Sequence, residues 1–580
     1  MRWEQLAYRP LRVAQHRFYR AFPRFASQWT DANGNAPIVP EKTIRTFRAV
    51  FEKSFAHLNT SLEEYDQRLA DLAERRFTFL NRTLTLDPMD WNRRYESHLW
   101  NYQLHYFNFA VPCARALVER DDRRAWRSCQ ALIESWIEQA RVGCSDGWDA
   151  YPVSLRVVNW IYAYALVADV RDDRRFLERW RTSIHRQLDF LFRRLEFHLL
   201  ANHLLKNLKA LLIGGLFFHR ENWLLTGGLL LMRELKEQVL DDGGHFERSP
   251  MYHAQTLADL LECQALLGAF DTPPLDEKDA ESKLRSMAGF LEAMSYSDGR
   301  LALFNDSANA EETRPQPILE TAKRVCRYRQ DQAARVFPQT GYYLWCSRDG
   351  REKIIVDAGP PSVDYNTAHA HCDLLSYELW LDGGPFIVDS GVHGYGGDRF
   401  REYCRSTRAH NTVMFDGREQ SEVWSVFRMA RRAKVIEAAA RGDERQFDFR
   451  GSFERYDKAV IHERGIRRAA DGEWVVTDVA RKGNVAVASS FIHLHPDVDA
   501  RSAGGGMIEC MSGSRKMLIE PFAAEDGEIG AKIITGAESP AQGWRFPDFG
   551  IAQPSATIRF DYRIKGDKEF GYRIKAIAGE

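Results

Sequence analysis

The sequence predicts an α+β multidomain protein, with a helical first half followed by an antiparallel β-sandwich. Three observations carry this expectation. The chain has 580 residues, too many for one hydrophobic core, so two or three domains are expected. Through the first half, apolar residues recur at three- and four-residue intervals. Near Gly341 the texture switches to short alternating runs rich in Val, Ile, Tyr, Phe and Trp, as half-buried strands require.

The helical segments follow in order. HLWNYQLHYFNFAVPCARALVER, RRAWRSCQALIESWIEQARV and VSLRVVNWIYAYALVADV each carry one apolar stripe, with turns such as CSDGWDAYP between them. The stretch ERWRTSIHRQLDFLFRRLEFHLLANHLLKNLKALLIGGLFF repeats the pattern, as do LLTGGLLLMRELKEQVL and AQTLADLLECQALLGAF. Such a succession of helices suggests an α/α toroid or a long bundle. Ser249-Pro250 is a helix start: Ser can cap, and the N–H that Pro lacks has no partner in a first turn. In the second half, REKIIVDAG, LSYELWLDGGPFIVDSG, HNTVMFDG, GEWVVTDVA, ASSFIHLHP and EFGYRIKAIAG read as strands, punctuated by RDG, LDGG, FDG and ADG. The boundary falls within ETRPQPILETAKRVCRYRQDQAARVFPQT. We expect a helical domain over 1–335, with an N-terminal extension, and a β-sandwich over 336–580.

Composition narrows the function. The formal net charge is −1, without the basic excess of a nucleic-acid binder. Aromatic residues make up 12% of the chain and can present flat apolar faces to sugar rings. The nine cysteines are irregularly spaced with no CxxC pair, which argues against a disulfide framework and for a reducing compartment. The N-terminus is studded with arginines and lacks an apolar h-region, so it does not read as a secretory signal. LKALLIGGLFF is too short to span a membrane. A cytoplasmic location is expected, or a periplasmic one if a leader has been removed.

Chemistry-bearing residues concentrate in four places: Asn202-His203, the run from His245 through Tyr252-His253, His369-Ala370-His371-Cys372-Asp373, and His410-Asn411-Thr412, with Asp389 and His393 between the last two. On a strand, His369 and His371 would share a face. His371, Asp389 and His410 sit at or beside strand ends of one domain, and imidazole with carboxylate suits zinc. The alternative is that these are hydrogen-bonded core residues. HAHCD also matches the HxHxD of metallo-β-lactamase-like hydrolases, but their motif continues with a second His where this chain has Leu374. Tyr252 lies near a helix N-terminus beside Arg248 and His253, a positive setting that would lower a phenol pKa. A buried Tyr with a satisfied hydroxyl, and a satisfied Asn202-His203 pair, are the plainer readings.

Together these segments resemble the heparinase II/III family of polysaccharide lyases. WDAYPVSLRVVNW, ANHLLKN, GGHFERSPMYH, AHAHCDLLSYELWLDGGPFIVDSGVHGYG and RSTRAHNTVMFDGREQS follow the family's motif order. The resemblance implies an incomplete (α/α) toroid and an antiparallel β-sandwich. It implies β-elimination on a uronic acid, with an acidic polysaccharide or oligosaccharide as partner; charge and hydropathy already point to no nucleic acid and no membrane span. Carried over by residue, Asn202 and His203 neutralise the substrate carboxylate, Tyr252 is the general acid, and also the base if the proton leaves on the leaving-group side, and His369 is the partner acid/base or helps polarise the C5 region. His371, Asp389 and His410 hold a structural zinc. Tyr395 is a second tyrosine of the site, and Arg248 contacts an acidic substituent or pairs with Glu247 or another neighbour. The rival readings are a glycan-handling protein of polysaccharide assembly without elimination, and a metal-dependent hydrolase. The presence of Asn202, His203, Tyr252 and His369 argues against the first, and Leu374 against the second.

Overall fold

A computed structural model describes residues 2–30, 36–55, 62–169, 173–270, 272, 277–330, 336–483, 485–513, 515–523, 529–564 and 566–577. The chain forms two compact units. One comprises Met1–Gln238, Gln255–Arg285 and Gln316–Tyr328; the other comprises Val239–Ala254, Ser286–Pro315 and Arg329–Glu580. The boundary expected after 335 falls at the edge of 331–335, which lie outside the described residues.

The first unit is helical. Successive helices His98–Tyr106, Ala110–Arg120, Arg123–Gln139, Ala150–Val167, Arg174–Phe192, Ala201–Phe218 and Glu221–Gln238 pack on one another. Side-chain caps set several starts: Ser97 accepts from the Trp100 N–H, Asp122 from those of Arg124 and Ala125, and Asp173 from that of Phe176. The periodic stretch 178–218 is broken into two helices. Asn207 accounts for part of the break: its side chain accepts from the Glu196 N–H at 2.8 Å and donates to the Glu196 carboxylate at 3.0 Å. Trp136, Trp160 and Trp180 are buried in the core. Arg156 is buried with them, its guanidinium 3.9 Å from the Trp136 ring and its donors spent on Gln187 and the carbonyls of His105 and Gly147. The arginine of the WDAYPVSLRVVNW motif is therefore scaffold. Among the described residues, no helix is long and apolar enough to cross a membrane.

The second unit is built on antiparallel sheets. A five-stranded sheet runs in chain order through Val336–Phe337, Tyr342–Cys346, Lys353–Asp357, Ser376–Leu381 and Gly384–Ile387. Its last hairpin turns on Asp382-Gly383, both at positive φ (51° and 80°), the two-residue primed turn that Asp-Gly favours. An eight-stranded sheet places Glu569–Ala576 between Trp474–Arg481 and Arg515–Ala523. A four-stranded sheet pairs Val487–His493 with both Thr557–Arg563 and Val413–Phe415. Tyr377, Leu379, Phe449, Val476, Ile492, Phe560 and Ile574 from these three sheets share one apolar core, which makes the arrangement a sandwich.

A charged network crosses that core. Arg464 and Asp478 are buried, with Arg464 Nε donating to Asp478 at 2.7 Å and its Nη1 to the carbonyls of Leu375 and Asn411. Burial pushes the Asp478 carboxyl up, but Arg464 and His462 outweigh it and hold the group below its ordinary 3.8. Arg464→Ala is expected to cost about 3–5 kcal/mol in a denaturant melt at neutral pH, because it strands a buried carboxylate. A carboxyl depressed on folding contributes stability above its unfolded pKa and loses it as pH falls through the folded pKa. The deficit of the variant should therefore be largest near neutrality and shrink below about pH 4. A deficit that is constant with pH would assign the loss to packing instead.

Candidate active site and metal group

The second unit brings Tyr252, His369 and Tyr395 together. The Tyr252 and Tyr395 hydroxyls are 2.9 Å apart, and the Tyr252 and His369 rings lie 4.0 Å apart, tilted by 33°. Tyr252 and His369 are nearly buried, and Tyr395 is half-buried. Tyr252 stands in the first turn of the helix Pro250–Ala269. Ser249 caps that turn by accepting from the Tyr252 N–H, while its hydroxyl donates to the Asp306 carbonyl at 2.7 Å. The Met251 N–H is taken by the Ser307 hydroxyl. The turn carrying the tyrosine is thereby tied to the loop carrying Asp306.

The two neighbours expected to make a positive setting for Tyr252 are engaged elsewhere. His253 Nε2–H donates to the Met287 carbonyl at 2.9 Å, and burial lowers its pKa to about 4, so it is neutral. Arg248 is turned to backbone carbonyls. Its guanidinium donates to the carbonyls of Thr340, Phe246 and Gln339, and it occupies positive φ (59°). Glu247 accepts instead from Asn366. The cation near the cluster is Arg401, 5.1 Å from the Tyr395 ring.

Sequence reasoning missed the residue at the centre of this cluster, Asp306. It is fully buried, 2.9 Å from His369 Nδ1 and 2.8 Å from His371 Nε2, and both Arg401 Nη atoms donate to its two oxygens. Burial pushes its carboxyl up, yet Arg401 and the two histidines outweigh that and hold it well below the usual range. The strand geometry expected for His369 and His371 is absent: they lie in a loop ahead of Ser376–Leu381 and reach one carboxylate through different ring nitrogens.

Beside this lies a group that could hold a cation. His371, Asp373 and His410 offer ligand atoms within 4.8 Å of one another, all buried. Of the expected set, His371 and His410 are adjacent, with ring centroids 5.3 Å apart. Asp389 accepts from His410 Nδ1 at 2.7 Å and from the Gly391 N–H. Asp373 is a further carboxylate, visible in HAHCD two residues after His371. The residues fit a divalent cation on two counts. His371 Nδ1 is buried with no hydrogen-bond partner among the described residues. Burial lowers the His410 pKa, but Asp389 and Asp373 outweigh it and raise it to about 9, so a protonated imidazole supplies positive charge where a cation would. His410 spends both nitrogens, on Asp389 and the Cys404 carbonyl, and would release one to act as a ligand. Leu374, where the hydrolase motif needs a second His, is buried in the sandwich core.

In the helical unit, Asn202 and His203 open the helix Ala201–Phe218. His203 Nδ1 is 3.3 Å from Glu196, and its ring is 4.5 Å from that of Tyr151. Leu200, just before them, sits at φ 63°, ψ −154°, a region essentially reserved for glycine, and such strain clusters at functional sites.

The family model described as "Heparinase II/III N-terminus" matches residues 17–341, and "Heparinase II/III-like, C-terminal" matches 329–574. The chain belongs to the heparinase II/III family. It is similar to a heparin-sulfate lyase of Bacteroides thetaiotaomicron, 24% identical over 435 residues, covering 64% of this chain and 61% of the relative. A heparin-sulfate lyase of Pedobacter heparinus is 25% identical over 353 residues, covering 54% and 52%. The chain thus spans about half to three-fifths of the length of these relatives. Its structure resembles the crystal structure of heparinase III with a TM-score of 0.73 at 19% identity, covering 90% of this chain and 86% of the other. That likeness carries the fold class, a helical toroid and an antiparallel sandwich, that the motifs implied.

Proposed function

We propose that this protein is a polysaccharide lyase that cleaves a uronate-containing glycan of the glycosaminoglycan class by β-elimination. The observation that carries the reading is the Tyr252–Tyr395–His369 cluster, with hydroxyls 2.9 Å apart and an imidazole against Tyr252. Family membership and the names of the relatives, heparin-sulfate lyases, support the substrate class.

The chemistry accounts for the residue types. A base removes the C5 proton of the uronate, the electron pair forms the C4–C5 double bond, the C4–O bond breaks, and the departing oxygen collects a proton. The C5 proton is weakly acidic until its carboxylate is neutralised, so donors must meet charge as it develops. On the resemblance, that task falls to Asn202 and His203. Tyr252 donates to the leaving oxygen, with Tyr395 as the hydroxyl that orients it. His369 Nδ1 is engaged by Asp306, which leaves Nε2 as its proton-accepting atom near the reacting carbon. A zinc ion would be held in the sandwich unit by His371 and His410 with Asp389 and the adjacent Asp373. When bound it supplies positive charge and cross-links the loops of the site. No step of the elimination runs through it.

The test is ultraviolet absorbance of the conjugated unsaturated uronate, with heparan sulfate, heparosan, hyaluronan, chondroitin and alginate offered in turn. A rise with at least one polymer is expected, and no rise with any would refute the proposal. Asn202→Ala should lower kcat/KM about 10²-fold on the polymer that responds. Unchanged kinetics would remove Asn202 from the carboxylate site.

A further inference from the structure

We propose that Asp306, clamped by Arg401, is a positioning residue that sets the tautomers of His369 and His371 together, one for proton transfer and the other for metal binding. The inference rests on the lyase reading only for what His369 does.

An ionised carboxylate only accepts hydrogen bonds. Each imidazole nitrogen that meets Asp306 must therefore carry a proton: Nδ1 in His369 and Nε2 in His371. A neutral imidazole has one N–H. The lone pair is left on Nε2 of His369, whose ring meets Asp306 through Nδ1, and on Nδ1 of His371, which is buried with no hydrogen-bond partner among the described residues. The first is a base available to substrate, the second a ligand available to a cation. Arg401 makes the arrangement stable. It is buried, donates to both Asp306 oxygens, and is itself held by the carbonyls of Val426 and Ala368. Its planar fork fixes the carboxylate plane, so the two oxygens can face two different histidines. A carboxylate behind a metal-ligating histidine orients the ring and raises ligand basicity. Here one carboxylate serves two rings, and the catalytic cluster is linked to the metal group through a single side chain.

Asp306→Asn keeps the shape but replaces one acceptor with an amide donor, so it cannot accept from both rings and also face Arg401. On a polymer that the wild type cleaves, kcat should fall on the order of 10²-fold with KM little changed. Zinc affinity, measured by competition with a chromophoric chelator, should weaken about 10–100-fold. Wild-type kcat together with wild-type zinc affinity would overturn the proposal. Should the variant not fold, ring-nitrogen magnetic resonance of histidine-labelled wild-type protein decides the matter, with His369→Gln and His371→Gln for assignment. Nδ1–H in His369 and Nε2–H in His371 are expected, and the opposite tautomer in either would overturn it. If the wild type cleaves no polymer, the lyase reading fails, while the zinc and tautomer measurements still judge Asp306.

Discussion

Tyr252→Phe is expected to lower kcat by about 10²–10⁴-fold while leaving the melting temperature nearly unchanged. The substitution removes one hydroxyl from a ring that keeps its packing against His369. Its bonded partner, the Tyr395 hydroxyl, belongs to a half-buried residue that can turn to water, so the stability cost should stay near 1 kcal/mol. A large loss of turnover without a loss of stability separates proton transfer from scaffolding. Tyr395→Phe should cost less, since that hydroxyl orients the donor rather than being it. Steady-state kinetics beside a thermal melt make the measurement, and a Tyr252→Phe enzyme within a few-fold of wild type would remove Tyr252 from the chemistry.

The second large effect is on metal and stability. His371→Ala empties a fully buried site and deprives Asp306 of a partner, so it should cost about 2–5 kcal/mol. It should also abolish stoichiometric zinc. Chelation of the wild type should reproduce part of the fall in melting temperature, and chelator should have no further effect on the variant, because both remove the same bound ion. Asp389→Asn should also lower metal content, through the loss of a carboxylate beside His410. Unchanged metal content in both variants would refute the assigned ligands.

These expectations rest on features of unequal legibility in the sequence. Asp382-Gly383 announces its hairpin because turn chemistry is local, and Ser249-Pro250 announces the helix that presents Tyr252 for the same reason. The strands of the sandwich are legible from alternation, since one face of each meets a common core. Asp306 is not legible: it lies 63 residues before His369, in a loop with no periodicity, and its role exists only once two loops and the Arg399–Arg405 helix converge. The metal group shows the same limit. HAHCD displays His371 and Asp373, but which carboxylate stands beside His410 depends on sheet packing rather than spacing. The motif resemblance pointed to Tyr252, Tyr395 and His369 as parts of one site, and the structure places those three side by side.

The central claim is elimination, and the mass balance of the products tests it most directly. A purified oligosaccharide that responds in the absorbance assay would be digested to completion and its fragments weighed by mass spectrometry. Elimination adds no water, so the fragment masses should sum to that of the substrate, with the unsaturated uronate lighter by one water than its saturated counterpart. Fragments that sum to the substrate plus one water for each bond cut would mean hydrolysis, and would contradict the account.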